Sequence, residues 1–197
     1  YTWESRWFSN KKRYKDLLLE DIKIKNALFR KLKPAGLARV EIERSINNLN
    51  ITLYVVRPGI VIGRGGTGME ELKKFLFELL GIMNKKTAPK VDLRVEPVKE
   101  PNLEAFLVAT SVADQLAKRL PFKRILRQMS ERVMAAGAKG VRILLAGRIA
   151  GAEIARREKV QIGTIPLSTI REKIDFVSVP ALTKSGFIGI KVWINRS

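Results

Sequence analysis

The chain contains no cysteine and no histidine. Those two absences exclude disulfides, thiol chemistry, zinc sites built on either residue, and every Ser-His or Cys-His catalytic pair. Cysteine-free composition leaves the redox compartment open and agrees with the cytosol. Carboxylates are scarce too, 19 Asp plus Glu against 38 Lys plus Arg. They do not cluster: Glu70-Glu71, Asp92, Glu153 and Asp175 among them are scattered and mostly flanked by bases, so no general acid/base pair emerges. No catalytic residue, metal, cofactor or small-molecule substrate is expected, and the chain is read as a non-enzyme. No apolar run reaches the ~18 residues of a membrane span, and no stretch reads as a basic amphipathic membrane anchor. Tyr1 opens no signal-peptide pattern, and without an initiator Met the chain is read as incomplete at this end.

What is present is cationic charge and enough apolar content to fold. With 197 residues, 46% of them hydrophobic, the chain can bury a core as one domain or two small ones. A net charge of +19 opposes compaction by self-repulsion unless an anionic partner neutralises it. Nucleic acid is the partner this implies, because binding it releases counterions for every phosphate neutralised.

Residues 1–15 are aromatic and basic without a clear period: Trp3, Arg6, Trp7, Phe8, Lys11, Lys12 and Arg13. Two readings stay open, an arm packing its aromatics on a neighbouring domain or one stacking them on RNA bases. A helix is expected from about Asp16, with Leu18, Ile22, Leu28, Phe29 and Leu32 on one face, stopped at Lys33-Pro34-Ala35-Gly36. Alternation predicts a hairpin of strands around Val40/Ile42 and Ile51/Leu53/Val55, joined by a polar turn from Ser45 to Asn50. A short helical turn leads to Gly63-Arg64-Gly65-Gly66. Thr67-x-x-Glu70 reads as a capping box opening a helix with Met69, Leu72, Phe75, Leu76, Leu79 and Leu80 on its stripe, ending at Gly81. A strand with Val91, Leu93 and Val95 inward follows. Pro97 and Pro101 bracket a charged connector, the best domain boundary. Beyond it, helices are expected over 102–120, with Leu103, Phe106, Leu107, Thr110, Ala113 and Leu116 on one side, and from Pro121 to Gly137. Strands follow at about 141–146, 153–160, 165–177 and 186–194. Helices followed by strands argue an α+β domain with two helices on one face of an antiparallel sheet.

Three stretches carry chemistry. Gly63, Arg64, Gly65 and Gly66 form a Gly-x-x-Gly turn containing a base, which lets a phosphodiester backbone lie against peptide N–H groups; RNA-binding KH domains clamp about four nucleotides this way. The same residues spell G-x-G-x-x-G through Gly68, but no buried parallel strand ends at the first glycine as the dinucleotide fingerprint requires. Walker A fails because Met69-Glu70 stands where Lys and Ser/Thr belong. A plain tight turn would need fewer glycines and no arginine. Second, Lys123, Arg124 and Arg127 share one helix face opposite Phe122, Ile125, Leu126, Met129 and Val133. An ordinary solvated face is the bland reading; Lys118, Arg119 and Arg132 nearby and the scarcity of acid there, with only Glu131 on it, favour a phosphate track. Third, residues 146–157 form a glycine hairpin with Arg148 at one end and Arg156 and Arg157 at the other.

Together with Trp3-Glu4-Ser5-Arg6-Trp7-Phe8, Gly137-Ala138-Lys139-Gly140 and Phe187-Ile188-Gly189-Ile190-Lys191-Val192-Trp193-Ile194, these stretches resemble, in order and almost end to end, the small ribosomal subunit protein S-three family. The resemblance implies an N-terminal arm (1–15), a type II KH domain (16–97, α-β-β-α-α-β) and a C-terminal α+β domain (98–197). It implies a structural constituent of the small-subunit head that binds small-subunit rRNA and lines the channel through which mRNA enters. The family's neighbours are proteins S-ten, S-fourteen, S-four and S-five. By the same resemblance Gly63 to Gly66 face RNA backbone and Lys123, Arg124 and Arg127 meet incoming mRNA. Arg6, Lys11, Lys12, Arg13, Arg148, Arg156 and Arg157 are assigned to rRNA or protein contacts. A cytoplasmic ribosome is expected, an organellar one remaining open. The alternative is a free-standing KH regulator that binds single-stranded RNA.

Overall fold

A computed structural model describes residues 3–45, 48–81 and 90–196. The chain divides into two compact units, Tyr1–Lys99 and Glu100–Ser197, each with its own core.

The first unit runs β1 (Ser5–Arg6), α1 (Lys11–Lys31), β2 (Leu37–Arg44), β3 (Asn48–Val55), α2 (Pro58–Ile62), α3 (Thr67–Leu79) and β4 (Lys90–Pro97). Its sheet has the order β1-β2-β3-β4, antiparallel only between β2 and β3. Ser45 N–H donates to the Asn48 carbonyl (2.8 Å) across the hairpin, while residues 46 and 47 of the expected polar turn lie outside the described residues. Alternation placed Val40, Ile42, Ile51, Leu53, Val55, Val91 and Leu93 correctly, and all are buried beneath the helices.

Helix α1 departs from expectation. It starts at Lys11, not near Asp16, and buries Asp21, Ile24 and Leu28 while Leu18 and Ile22 stay exposed. The reason is one polar residue. The Trp7 indole N–H donates to Asp21 Oδ2 (2.8 Å), and the Arg44 Nε–H donates to Asp21 Oδ1 (2.8 Å). A carboxylate only 2% exposed is tolerable when its partners are ionic and hydrogen-bonded. Glu20 completes the cluster at 2.9 Å from Arg44 Nη1. The aromatic segment is thereby tied down: Trp7 packs on Tyr14 at 5.4 Å, and β1 pairs with β2 through Ser5↔Ile42.

The second unit runs α4 (Ala105–Ala117), α5 (Phe122–Ala135), β5 (Gly140–Gly147), β6 (Arg156–Gly163), β7 (Ile174–Thr183) and β8 (Gly186–Asn195). Its sheet is fully antiparallel, in the order β6-β5-β8-β7. Helix α4 packs on β7 and β8, and α5 on β5 and β6, both on one face. Two expectations are corrected. The buried face of α4 is Ala105, Val108, Ala109, Val112 and Leu116, rotated from the expected stripe. The strand expected at 165–177 begins only at Ile174 and runs to Thr183. Pro180 is accommodated because β7 is an edge strand.

No local side chain caps α4. Asp175, far away in sequence, accepts the Ala105 N–H on Oδ2 (2.9 Å) and also binds Arg196 Nη2 (2.8 Å). Burial works against the Arg196 charge, but Glu104 and Asp175 outweigh it and hold the guanidinium above its ordinary value. Asp175→Ala removes cap and counter-charge together and is expected to lower stability by ~1–2 kcal/mol. Asp175→Asn keeps the acceptor and should lose less; chemical denaturation of the two variants separates them.

Candidate nucleic-acid interface

The glycine loop joins two helices that touch. Gly68 in α3 lies so close to α2 that an added Cβ would stand 2.5 Å from the Val61 carbonyl oxygen. Between the helices Gly63, Gly65 and Gly66 all take positive φ (70°, 63° and 84°), which glycine adopts freely. The expected capping box does not form. Gly66 is the N-cap, and Thr67, already helical, donates its hydroxyl to the Arg64 carbonyl at 3.0 Å. That bond ties the loop to itself and leaves its outer side free. A Cβ on Gly65 or Gly66 would meet nothing within 4 Å. The loop is thus a preformed turn with open backbone on one side and an exposed Arg64 within it. Gly66→Ala is expected to cost about 1 kcal/mol through backbone strain alone, whereas Gly68→Ala forces α2 from α3 and should cost more. Thermal unfolding of both variants checks that order.

Helix α5 carries the second cluster. Ile125, Leu126, Met129 and Val133 are buried against the sheet. Lys123, Arg124 and Arg127 are exposed on the opposite side, as the periodicity predicts. Lys123 and Arg124 fall in the first turn, where no acidic residue stands, so their charge adds to the positive end of the helix dipole. Two like charges there are unfavourable until an anion arrives. The three are not equivalent. Arg127 Nε donates to Glu131 Oε1 at 2.9 Å, whereas Lys123 and Arg124 have no ion pair among the described residues.

The structure brings further cations to the same end of α5. Arg156 lies over the Phe122 ring (5.6 Å). A cavity of about 510 Å³ is lined by Phe122, Leu116, Ile188, Arg119, Arg148 and Lys184 among others. Arg119 was expected near the cluster, though α4 ends at Ala117, before it; Lys184 had no signal in the sequence, because loop geometry places it. Arg119 (φ 60°) and Ala150 (φ 57°), the only non-glycine residues with positive φ among those described, both line this cavity. Arg148 is held by a bond from Nε to the Ala152 carbonyl (2.9 Å). Arg157 does not join the group; it sits on β6 with its side chain on the other face of the sheet by strand alternation.

In the first unit Lys11, Lys12 and Arg13 form the first turn of α1, again with no acidic residue. Arg6 is engaged with Glu43 at 3.4 Å. Arg13 lines a cavity beside Trp7, Phe8 and Arg44. Among the described residues no cluster of acidic side chains could hold a metal ion.

Comparison with known proteins covers almost the whole chain. The family model described as the KH domain matches residues 23–103, and that described as ribosomal protein S3, C-terminal domain, matches residues 112–194. Small ribosomal subunit protein uS3 of Desulforamulus reducens is 45% identical over 194 residues, covering 98% of this chain and 85% of the relative. That of Rhodopirellula baltica is 45% identical over 199 residues (98% and 81%), and that of Lactobacillus helveticus 44% over 196 (100% and 84%). The order α1-β2-β3-α2-α3-β4 is that of a type II KH unit, and the second unit is the α+β domain expected of the same relatives. The chain belongs to the uS3 family of small ribosomal subunit proteins.

Proposed function

We propose that this small-subunit protein binds rRNA with its KH unit and guides mRNA at the point where it enters the subunit. The observation that carries the second half is the one-sided helix α5. A buried apolar stripe fixes its orientation, and Lys123 and Arg124 stand free at its positive end. Such cations hold phosphates in passing without reading bases, which suits a strand that must keep moving. Gly63 to Gly66 clamp an RNA backbone that stays in place: Gly63 N–H is held by the Gly59 carbonyl, and the open side at Gly65 and Gly66, with Arg64, meets the phosphates. Arg148 and Arg156 reinforce the α5 end, while Arg6, Lys11, Lys12 and Arg13 lie against rRNA or a neighbouring protein. The neighbours in this reading are proteins S-ten, S-fourteen, S-four and S-five, in a cytoplasmic ribosome. A free-standing KH regulator accounts for the first unit alone and leaves the match over residues 112–194 unexplained.

The test is site-directed photocrosslinking. Small subunits assembled with this chain receive an mRNA carrying 4-thiouridine at successive positions downstream of the decoding site. Crosslinks in the peptide spanning 123–127 are expected at a narrow range of those positions. Crosslinks elsewhere on the chain, or none, overturn the mRNA assignment while leaving the rRNA assignment to be read from the loop.

A further inference from the structure

The sheet of the second unit has two unlike faces. One is covered by α4 and α5. Strand alternation puts Val141, Ile143, Leu145, Val160, Val177, Val179, Ile190, Val192 and Ile194 on that side, and with them the carboxylates Glu158 and Asp175. The other face has no element of the second unit on it. Its residues fall into rows by register. Gln161, Arg142, Trp193 and Phe176 lie side by side across the four strands, and the next row is Lys159, Leu144, Lys191 and Ser178. Arg157, Ala146, Gly189 and Pro180 form the row after that.

Chemistry on this face is one-sided. It carries Arg142, Arg157, Lys159 and Lys191, and no strand residue on it is a carboxylate. Phe176 is 49% exposed and lies 5.0 Å from the Trp193 ring. Arg142 stacks on Trp193 from the other side at 5.0 Å. The Arg142 Nε is buried without a hydrogen-bond partner. An aromatic pair costs apolar exposure, and unopposed cations repel one another; neither is spent on the core of this unit.

From this arrangement we infer that the uncovered face of the β6-β5-β8-β7 sheet is a second RNA-binding surface, taking single-stranded RNA. A base stacks on the Phe176–Trp193 row, and Lys159 and Lys191 in the next row hold the adjoining phosphates. Rows two residues apart stand about 7 Å apart along a strand, and a stretched single strand repeats on the same scale. Aromatics that stack bases amid cations that track the backbone are the working parts of sheet-type RNA platforms. Charge complementarity selects RNA over a protein partner here, since a protein surface would need to be acidic opposite four cations. The inference adds to the proposed function and rests on the chain being an RNA binder, but not on the glycine loop or α5.

The experiment uses the whole chain and a 12-nucleotide oligouridine containing 4-thiouridine. Crosslinked peptides are mapped, and affinity is measured for the parent and for Phe176→Ala, Lys159→Glu/Lys191→Glu, and Lys123→Ala/Arg124→Ala. Crosslinks are expected at Phe176 or Trp193 and should persist in the Lys123→Ala/Arg124→Ala variant. Phe176→Ala should weaken binding about ten-fold, the loss of one stacked base. Lys159→Glu/Lys191→Glu should weaken it further at low salt. Both sets are surface changes, and circular dichroism checks that they fold. Crosslinks confined to residues 63–66 and 123–127, with parental affinity in the face variants, overturn the inference. So does a face variant that binds oligouridine normally but fails to assemble into subunits, which would make this face a protein contact.

Discussion

Replacing Lys123, Arg124 and Arg127 together by Ala lowers the slope of log affinity against log salt for single-stranded RNA by about two. Each phosphate contact with a single strand contributes about 0.7 to that slope. The side chains are exposed, and the opposite face keeps Ile125, Leu126, Met129 and Val133 in the core, so folding is expected to survive. The single variants should not be equal. Lys123→Ala and Arg124→Ala each remove a cation with no ion pair among the described residues, while Arg127→Ala removes one already shared with Glu131 and changes the slope least. Titrating a labelled oligonucleotide across several salt concentrations reads both results. An unchanged slope in the triple variant sinks the phosphate-track assignment.

Asp21→Ala is expected to be the most damaging single change in the first unit. It takes the buried partner from the Arg44 guanidinium, whose side chain is only 13% exposed, leaving it Glu20 alone, and leaves the Trp7 indole N–H without its acceptor. Breaking a buried pair from one side costs ~3–5 kcal/mol. For a unit of this size that lowers Tm by roughly 12 °C or more. Adding Arg44→Met removes the half-paired charge and should recover part of the loss, because replacing both partners is far cheaper than deleting one. Calorimetry on the single and double variants decides. A double variant no more stable than the single would mean that Asp21 acts through its Trp7 bond and packing rather than through the Arg44 charge.

That carboxylate also explains where reading the sequence stopped short. The strands of the first unit and the stripe of α5 were legible because their apolar residues keep one period and polar residues break it. In α1 the period is hidden, since a buried Asp21 shares its face with Ile24 and Leu28 while Leu18, Leu19 and Ile22 face outward. In α4 the run Ala105-Phe106-Leu107-Val108-Ala109 is apolar on every side, so no stripe stands out, and the small residues rather than Phe106 and Leu107 meet the sheet. Thr67 and Glu70 had the spacing of a capping box, but Gly66 took the N-cap position and turned the hydroxyl back on the loop. Of the candidate interface, residues on regular elements were legible. Arg119 was legible as a cation next to the α5 cluster, but Lys184 was not, because a connection brings it to the α5 end and a cation-rich sequence offers many such residues.

The strand order β6-β5-β8-β7 has a consequence for how this protein is made. The strand synthesised last of the four, β8, is an inner strand and supplies the pairing partner of both β5 and β7. Until it leaves the exit tunnel, β5 and β6 form a hairpin with α5 on it, β7 has no strand neighbour, and α4 lacks half the floor it packs on. The first unit has all its strands far earlier and can fold while translation continues. A ribosome producing this chain thus releases a KH fold that is ready for RNA before the unit carrying Lys123 and Arg124 can exist. Chains cut short before β8 would occupy rRNA without completing the second unit.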